Sequence, residues 1–170
     1  AKQRITYIAV NYSDRYSDPE EQVRAEYWAE LIFRYGYEPA RIGVEITVPD
    51  RTPKDAADLV IFQDAERTRP FDVIECKPAG LTAAAFTPAV EQACGNGTWA
   101  KFRAKYVGVI AGQTRRFLDF TEKYGVLERE ANIVADLPKE YGQPEEWRYK
   151  KGTKEDIQPV NKETLIATIK

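Results

Sequence analysis

Glu75 and Lys77 stand two residues apart inside a short and largely apolar stretch, Phe71–Pro78. Side chains alternate between the faces of a strand, so the carboxylate and the ammonium point the same way. Charged groups in a buried strand are costly unless they pair, ligate a metal or take part in chemistry. This pair can hold a divalent cation beside a reacting group. The alternative is an ordinary ion pair on a solvated edge strand, since short motifs often occur by chance.

If this pair belongs to a metal-dependent site for phosphodiester hydrolysis, the metal needs a second carboxylate, because such sites use acids that converge from adjacent elements. Asp58 begins the apolar stretch Asp58–Phe62, which we expect to pair with the strand of Glu75. Asp50 is the alternative, but it lies in the turn Pro49–Pro53, where aspartate is common for conformational reasons. We favour Asp58, since a site on rigid elements holds its geometry better than one on a turn.

The chain contains no histidine and only two cysteines. This excludes Ser-His-Asp and Cys-His catalysis, histidine-ligated zinc and nucleases that use a histidine base. Oxygen ligands indicate Mg²⁺ or Mn²⁺ instead. Lys77 and a metal-bound water are then the plausible proton carriers, while Cys76 and Cys94 are expected to be small buried groups.

Length and composition fit one ordinary domain, with 170 residues of which 43% are hydrophobic. The net charge of −2 provides no global attraction to nucleic acid or to an anionic membrane, so DNA contact would need a local basic face. No apolar stretch predicts a membrane span and no secretory leader is evident, so a cytoplasmic location is the default expectation.

A helix is predicted to begin at Pro19, with Asp18 as its N-cap and Glu21 closing a capping box. It should run to about Tyr35 and end at Gly36.

The spacing of Val23 and Tyr27 marks the inward face of this helix. Glu20 falls on that face by the same spacing and Glu21 does not. Glu20 is therefore either a metal ligand or a simple complement to the helix dipole.

Consecutive strands after this helix, two of them nearly all apolar, predict a central sheet covered on both faces. The remaining expected elements are a strand or ordered arm at Arg4–Val10, strands at Ile42–Val48 and Lys105–Ala111, a helix starting at a proline at Pro88–Gly95, and a short helix at Phe117–Tyr124.

Taken together, Asp58-Leu-Val-Ile-Phe, then Val-Ile-Glu75-Cys-Lys77, with Glu20 opening a preceding helix, resembles the PD-(D/E)xK nuclease superfamily. Over about residues 19–111, further segments resemble the N-terminal nuclease domain of type I restriction enzyme R subunits. These segments are Asp18-Pro-Glu-Glu-Gln-Val-Arg24, Tyr35-Gly-Tyr37, Val44-Glu-Ile-Thr-Val, Glu91-Gln-Ala-Cys-Gly-Asn96 and Ala104-Lys-Tyr106.

This resemblance implies an α/β fold in which a central mixed β-sheet is flanked by helices, a restriction-endonuclease-like core. Residues 1–136 would form the nuclease domain. Residues 137–170 would be a peripheral extension or a linker towards a motor domain that is missing from these residues.

The same resemblance implies that Asp58, Glu75 and the backbone carbonyl of Cys76 bind a catalytic Mg²⁺, for which Mn²⁺ can substitute. Glu20 would complete the metal shell, with Glu21 as the other choice for the helix ligand.

Two further roles follow from the resemblance. Lys77 would orient or activate the attacking water and stabilise the charge of the pentacovalent state, and Gln92 would assist the site. Asn96 stands where many members carry an aromatic residue.

Double-stranded DNA is the implied substrate, with the motor region of the same polypeptide and the specificity and methylation subunits as partners. The chain has no phosphate-binding GxxxxGK[ST] loop, so no ATP site is expected within it. We expect five basic side chains to contact DNA: Lys101, Arg103, Lys105, Arg115 and Arg116. The basic run 148–154 is more typical of a solvated face. The alternatives are a free-standing junction-resolving or repair nuclease, and a non-catalytic DNA-binding module on the same fold.

Overall fold

The computed structural model describes residues 3–121 and 132–139. The strands are β1 (Arg4–Tyr7), β2 (Tyr12–Arg15), β3 (Ile42–Thr47), β4 (Ala56–Phe62), β5 (Pro70–Cys76), β6 (Tyr106–Ala111), β7 (Thr114–Asp119) and β8 (Ile133–Val134). The α-helices are α1 (Pro19–Phe33) and α2 (Ala83–Gly97), and short 3₁₀ turns occupy Ile8–Val10 and Pro39–Arg41.

Six strands form the central sheet in the order β3-β4-β5-β6-β7-β8. Neighbouring strands are antiparallel except for β5 and β6, which are parallel and are connected through α2. A parallel pair needs such a crossover, because a tight turn cannot join strands that run the same way. The predicted α/β fold with a mixed central sheet flanked by helices is confirmed. β1 and β2 form a separate antiparallel hairpin.

The two helices cover opposite faces of the sheet. The core under α1 contains Tyr27 and Leu31 of the helix together with Ile74 and Cys76 of β5. On the other face, the buried side of α2 packs on β6. At Gly97 of α2 a Cβ atom would lie 2.4 Å from a methyl of Val107, so the close approach of helix and strand requires glycine there. β5, between these layers, is buried along its whole length.

The start of α1 was predicted correctly. The carboxylate of Asp18 accepts a hydrogen bond from the Glu20 amide at 3.0 Å, which satisfies one of the free amides of the first turn. The helix ends at Phe33, two residues before the predicted end. Val23, Tyr27 and Leu31 are buried as the spacing indicated.

The prediction for Glu21 was wrong on two counts. Its side chain is only 2% exposed, so it does face inward. It does not close a capping box, because its carboxylate instead accepts hydrogen bonds from the Tyr7 hydroxyl at 2.6 Å and from Arg24 at 2.7 Å. The hairpin β1–β2 supplies that tyrosine, and a periodicity argument within one helix could not include it.

Two other elements differ from expectation. α2 begins at Ala83, with Thr82 as its N-cap, and Pro88 lies inside the helix rather than at its start. Pro88 is the sixth residue of the helix, so it removes one backbone hydrogen bond of the second turn, and the helix continues through it with its buried side packed on the sheet. The predicted short helix Phe117–Tyr124 was also wrong, because its first residues belong to β7 and residues 122–124 lie outside the described residues.

No α-helix in the described ranges is both long and apolar enough to span a membrane. Of the predicted extension, residues 137–139 are described, and the basic run 148–154 lies outside the described residues.

Candidate active site

The candidate site lies where β4 and β5 separate. Their ladder ends at the pair Leu59 and Ile74, so Asp58 and Glu75 are the next residues on the two strands. Beyond the last backbone pair, a side chain connects the two strands: Oδ2 of Asp58 accepts a hydrogen bond from the Cys76 amide at 2.6 Å. The gap between the strands therefore opens beside two buried carboxyl groups.

Glu75 is 2% exposed and its two carboxyl oxygens have different surroundings. Oε1 accepts a hydrogen bond from Lys77 Nζ at 2.7 Å, whereas Oε2 is buried with no hydrogen-bond partner among the described residues. Burial raises the pKa of Glu75 to about 8, with the charge of Asp58 adding to the rise. A buried carboxyl oxygen without a donor is costly, and a cation at this position would remove that cost.

Lys77 connects β5 to the first turn of α1. Its ammonium lies 3.5 Å from Glu20 Oε2 in addition to its bond with Glu75. Burial lowers the pKa of Lys77, but the hydrogen bond and charge of Glu75 outweigh burial, so the net pKa is raised. Burial, and then the charge of Asp58, raises the pKa of Glu20. Because its own pKa is raised, Lys77 is a cation at neutral pH.

Arg24 is the residue that the sequence interpretation missed. It is 4% exposed, and its guanidinium contacts Asp58 at 2.6 Å, Glu21 at 2.7 Å and Glu45 at 2.5 Å. Burial lowers the pKa of Arg24, but the charges of Asp58, Glu45 and Glu21 outweigh it and raise the net pKa. The available signals were the i, i+3 spacing of Glu21 and Arg24 on one helix, and a charged Glu45 within an apolar strand.

Five carboxyl groups therefore surround two cations, Arg24 and Lys77. We name these acids the carboxyl cluster: Glu20, Glu21, Glu45, Asp58 and Glu75. Burial is the main cause that raises the pKa values of its four glutamates, and the charges of neighbouring acids add to the rise.

The donor set suits a hard divalent cation, because it offers only oxygen atoms and includes the unpartnered Oε2 of Glu75. Within residues 3–121 and 132–139, however, no group of three or more acidic or cysteine side chains is arranged so that it could hold a metal ion. The residues thus fit a site with two carboxylates, Asp58 and Glu75, and the third ligand from Glu20 stays a prediction, since that side chain contacts Lys77.

The other predicted site residues lie elsewhere. Gln92 is half-buried on α2, and no hydrogen bond among the described residues joins it to Asp58, Glu75 or Lys77. Asn96 is fully buried and contacts the Ala56 carbonyl at 3.4 Å, so it connects α2 to the start of β4.

Asp50, the alternative to Asp58, is exposed and pairs with Lys101 on the surface. Asp58 is buried beside the strand of Glu75.

The predicted DNA-contacting residues do not form one group. Arg115 points towards α1, where it makes two hydrogen bonds with Glu30 at 2.8 and 2.7 Å. Arg116, the next residue on β7, lies over the ring of Phe86 in α2. Adjacent strand residues face opposite sides of a sheet, so these arginines cannot share one DNA surface.

In the segment before β6, Lys101 pairs with Asp50, and the Lys105 ammonium lies 5.9 Å from the ring centre of Phe71. Arg103 has a left-handed backbone conformation, with φ of +40°. A role of this segment and of the β7 arginines in DNA contact stays a prediction.

Comparison with protein families yields one finding. Residues 19–138 match a family model described as type I restriction enzyme R protein N terminus. The match begins at the first residue of α1 and includes every residue of the carboxyl cluster. The search of curated proteins found no match.

Proposed function

Because the chain belongs to the family of type I restriction enzyme R protein N termini, we propose that it is the metal-dependent DNA endonuclease domain of such a subunit, with a PD-(D/E)xK site. The observation that carries this proposal is the buried Glu75 carboxyl at the end of β5, where one oxygen accepts a hydrogen bond from Lys77 and the other has no partner in the part of the chain that the structure describes. The family membership favours a restriction subunit over a free-standing junction-resolving or repair nuclease.

In this proposal Asp58 and Glu75 hold a Mg²⁺ or Mn²⁺ ion together with the Cys76 carbonyl, and Glu20 is the candidate for a further ligand. Such an ion supplies Lewis-acid stabilisation of the phosphate charge and lowers the pKa of a bound water. The protein fixes Asp58 through the Cys76 amide, so this carboxylate is oriented before any ion arrives.

Lys77 acts as a cationic hydrogen-bond donor. Its raised pKa keeps the ammonium protonated, which suits it to orient the attacking water and to stabilise the extra negative charge on phosphorus. Hydrolysis forms one bond from the water oxygen to phosphorus and breaks one ester bond. The water loses a proton and the leaving oxygen gains one.

The proposed partners are double-stranded DNA, the motor region of the same polypeptide and the other subunits of a restriction complex. No ATP site is proposed within these residues. Residues 1–136 would be the nuclease domain and 137–170 the connection towards the motor.

Metal titration tests the site directly. Calorimetry should detect Mn²⁺ binding to the wild-type chain and loss of that binding in Asp58→Ala. Asp50→Ala is the matched control, because Asp50 is an exposed aspartate away from the open strand end. Equal Mn²⁺ affinity in the wild type and Asp58→Ala would reject the assignment.

Cleavage by a restriction complex that carries this chain tests the catalysis. Lys77→Ala should abolish DNA cleavage while the variant still folds and still binds Mn²⁺. Unimpaired cleavage would remove the catalytic role of Lys77. Metal binding without any cleavage by the wild-type complex would favour the DNA-binding module instead.

A further inference from the structure

Arg24 is buried at the centre of the carboxyl cluster, although none of the proposed chemical steps uses it. Nη2 contacts Asp58 Oδ1 at 2.6 Å and Glu45 Oε1 at 2.5 Å, and Nη1 contacts Glu21 Oε2 at 2.7 Å. One guanidinium therefore joins α1 to both β3 and β4. Its planar set of donors suits contact with several carboxylates at once.

Asp58 needs such a contact because it lies at the position where the β4–β5 ladder has ended. Its Oδ2 accepts the hydrogen bond from the Cys76 amide and its Oδ1 accepts the one from Arg24. These two donors come from different elements, β5 and α1. Rotation of the carboxylate would break at least one of these bonds, so the pair fixes its orientation.

The partners of Arg24 are themselves held in place. The Tyr7 hydroxyl donates a 2.6 Å hydrogen bond to Glu21, which fixes that carboxylate from the β1–β2 hairpin. Glu45 lies within β3 at φ +52°, a left-handed conformation that is unfavourable for glutamate. The β3–β4 register has paired residues on both sides of Glu45 and none at Glu45 itself. Such strained residues persist when the surrounding structure requires them, and here the carboxylate of Glu45 contacts Arg24.

From these contacts we infer that Arg24 is a positioning residue, which holds Asp58 in its metal-binding orientation through a permanent charge and a fixed network. This inference rests on the proposed function and adds a residue to it. Arg24 would touch neither the metal nor the DNA, and would act only through Asp58.

The contact has two opposite consequences for a bound metal. The guanidinium orients Asp58, which favours productive geometry at the phosphate. It also places a positive charge against a proposed metal ligand, and that charge opposes the binding of a second cation. Removal of Arg24 should therefore leave metal affinity unchanged or higher while it lowers the cleavage rate. A residue needed only for folding would weaken both together.

The test is Arg24→Met, which keeps the aliphatic bulk and removes the charge. Mn²⁺ affinity, measured by calorimetry on this chain, should stay the same or tighten by up to about tenfold. Cleavage by the restriction complex at saturating Mn²⁺ should fall by roughly ten- to a hundredfold. Arg24→Lys should recover part of that loss, since an ammonium restores the charge but not the planar donor set.

Leu31→Val is the control for weaker packing of α1, because Leu31 is buried in the same helix and belongs to the hydrophobic core rather than to the carboxyl cluster. It should change neither Mn²⁺ affinity nor cleavage at saturating metal. If Arg24→Met does not fold, Glu45→Gln replaces it as the test, with unchanged Mn²⁺ affinity and slower cleavage expected.

Four results would overturn the inference. Loss of Mn²⁺ affinity in proportion to cleavage in Arg24→Met, or unchanged cleavage in that variant, would do so. If Arg24→Met does not fold and Glu45→Gln is used instead, weaker Mn²⁺ binding or a wild-type cleavage rate in Glu45→Gln would also overturn the inference. A wild-type chain that binds no Mn²⁺ would instead reject the proposed function itself, and the inference with it.

Discussion

Asp72 and Glu75 lie three residues apart on β5 and are both buried, yet their surroundings differ. Burial raises the pKa of each to about 8. Asp72 faces the core under α1, where neither of its oxygens has a hydrogen-bond partner among the described residues. Glu75 faces the other way, towards Lys77 and Asp58 at the open strand end.

The difference teaches that a raised pKa does not by itself identify a site. Loss of water is the largest cause of the raised pKa in both carboxyl groups, and both pKa values reach about 8. Glu75 differs because charged groups from α1, β4 and β5 converge beside it, so that a cation and a phosphate could be held there. Asp72 lies near the Tyr27 hydroxyl, whose pKa is raised by burial and then by the charges of Tyr35 and Asp72. No charged group among the described residues contributes to the pKa shift of Asp72 itself.

Replacement of each carboxyl by its amide gives the largest expected contrast. Glu75→Gln should reduce DNA cleavage by the restriction complex by roughly a hundred- to a thousandfold, because the metal loses a charged ligand. Asp72→Asn should leave cleavage close to wild type. The measurement is a cleavage time course at saturating Mg²⁺. A large loss in Asp72→Asn, with the fold intact by circular dichroism, would end the distinction between the two groups.

Metal binding should depend on pH through Glu75 and not through Asp72. Because burial raises the pKa of Glu75, its carboxyl group holds a proton to a higher pH than usual, and an incoming cation competes with that proton. Mn²⁺ affinity should then rise with pH by up to about tenfold per unit and level off above about pH 8. Calorimetry in buffers of different ionisation enthalpy would detect the released proton. The pH dependence of Mn²⁺ affinity should be unchanged in Asp72→Asn. The same pH dependence in Glu75→Gln would contradict this account.

Stability without metal should depend on pH through Asp72. The fold raises its pKa from 3.8 to about 8, so between these values the folded state retains a proton that the unfolded state has lost. Stability contributed by the neutral acid is therefore complete at low pH and declines as the pH rises through this window, by up to about 1.4 kcal/mol per unit. Urea unfolding of the wild type and Asp72→Asn over this range, with EDTA, isolates the group. If the free energy of unfolding varied with pH in the same way in both proteins, Asp72 would not be the group responsible.

The sequence was sufficient for the features that depend on local pattern. Alternation along β5 placed Glu75 and Lys77 together, and the expected pairing of two consecutive strands placed Asp58 beside the strand of Glu75. The choice of Asp58 over Asp50 as a metal ligand stays a prediction. The N-cap at Asp18 followed from well-known helix signals. Each of these features involves residues close together in the chain, or two strands that are consecutive, so propensity and spacing were enough to predict it.

Features that depend on tertiary contacts were missed. Arg24 acquires its role from Asp58, 34 residues away, and from Glu45 in a backbone conformation that no propensity predicts. Glu21 faces inward because Tyr7 of a separate hairpin meets it. Charged side chains become buried when distant parts of the chain supply their partners, and a single sequence does not show which parts meet.

Tyr27→Phe has the smallest expected effect and tests whether Asp72 is truly without a partner. The Tyr27 hydroxyl is buried and has no hydrogen-bond partner among the described residues, and burial, followed by the charges of Tyr35 and Asp72, raises its pKa. Loss of an unpaired hydroxyl costs little, so urea unfolding at neutral pH should change by less than about 0.5 kcal/mol in either direction. A hydroxyl that bonded Asp72 would behave differently, because its removal would leave a buried acid unsatisfied and cost about 1–3 kcal/mol. A loss of stability of that size would indicate that the Tyr27 hydroxyl hydrogen-bonds Asp72. The surroundings of Asp72 and Glu75 would then differ less than described above.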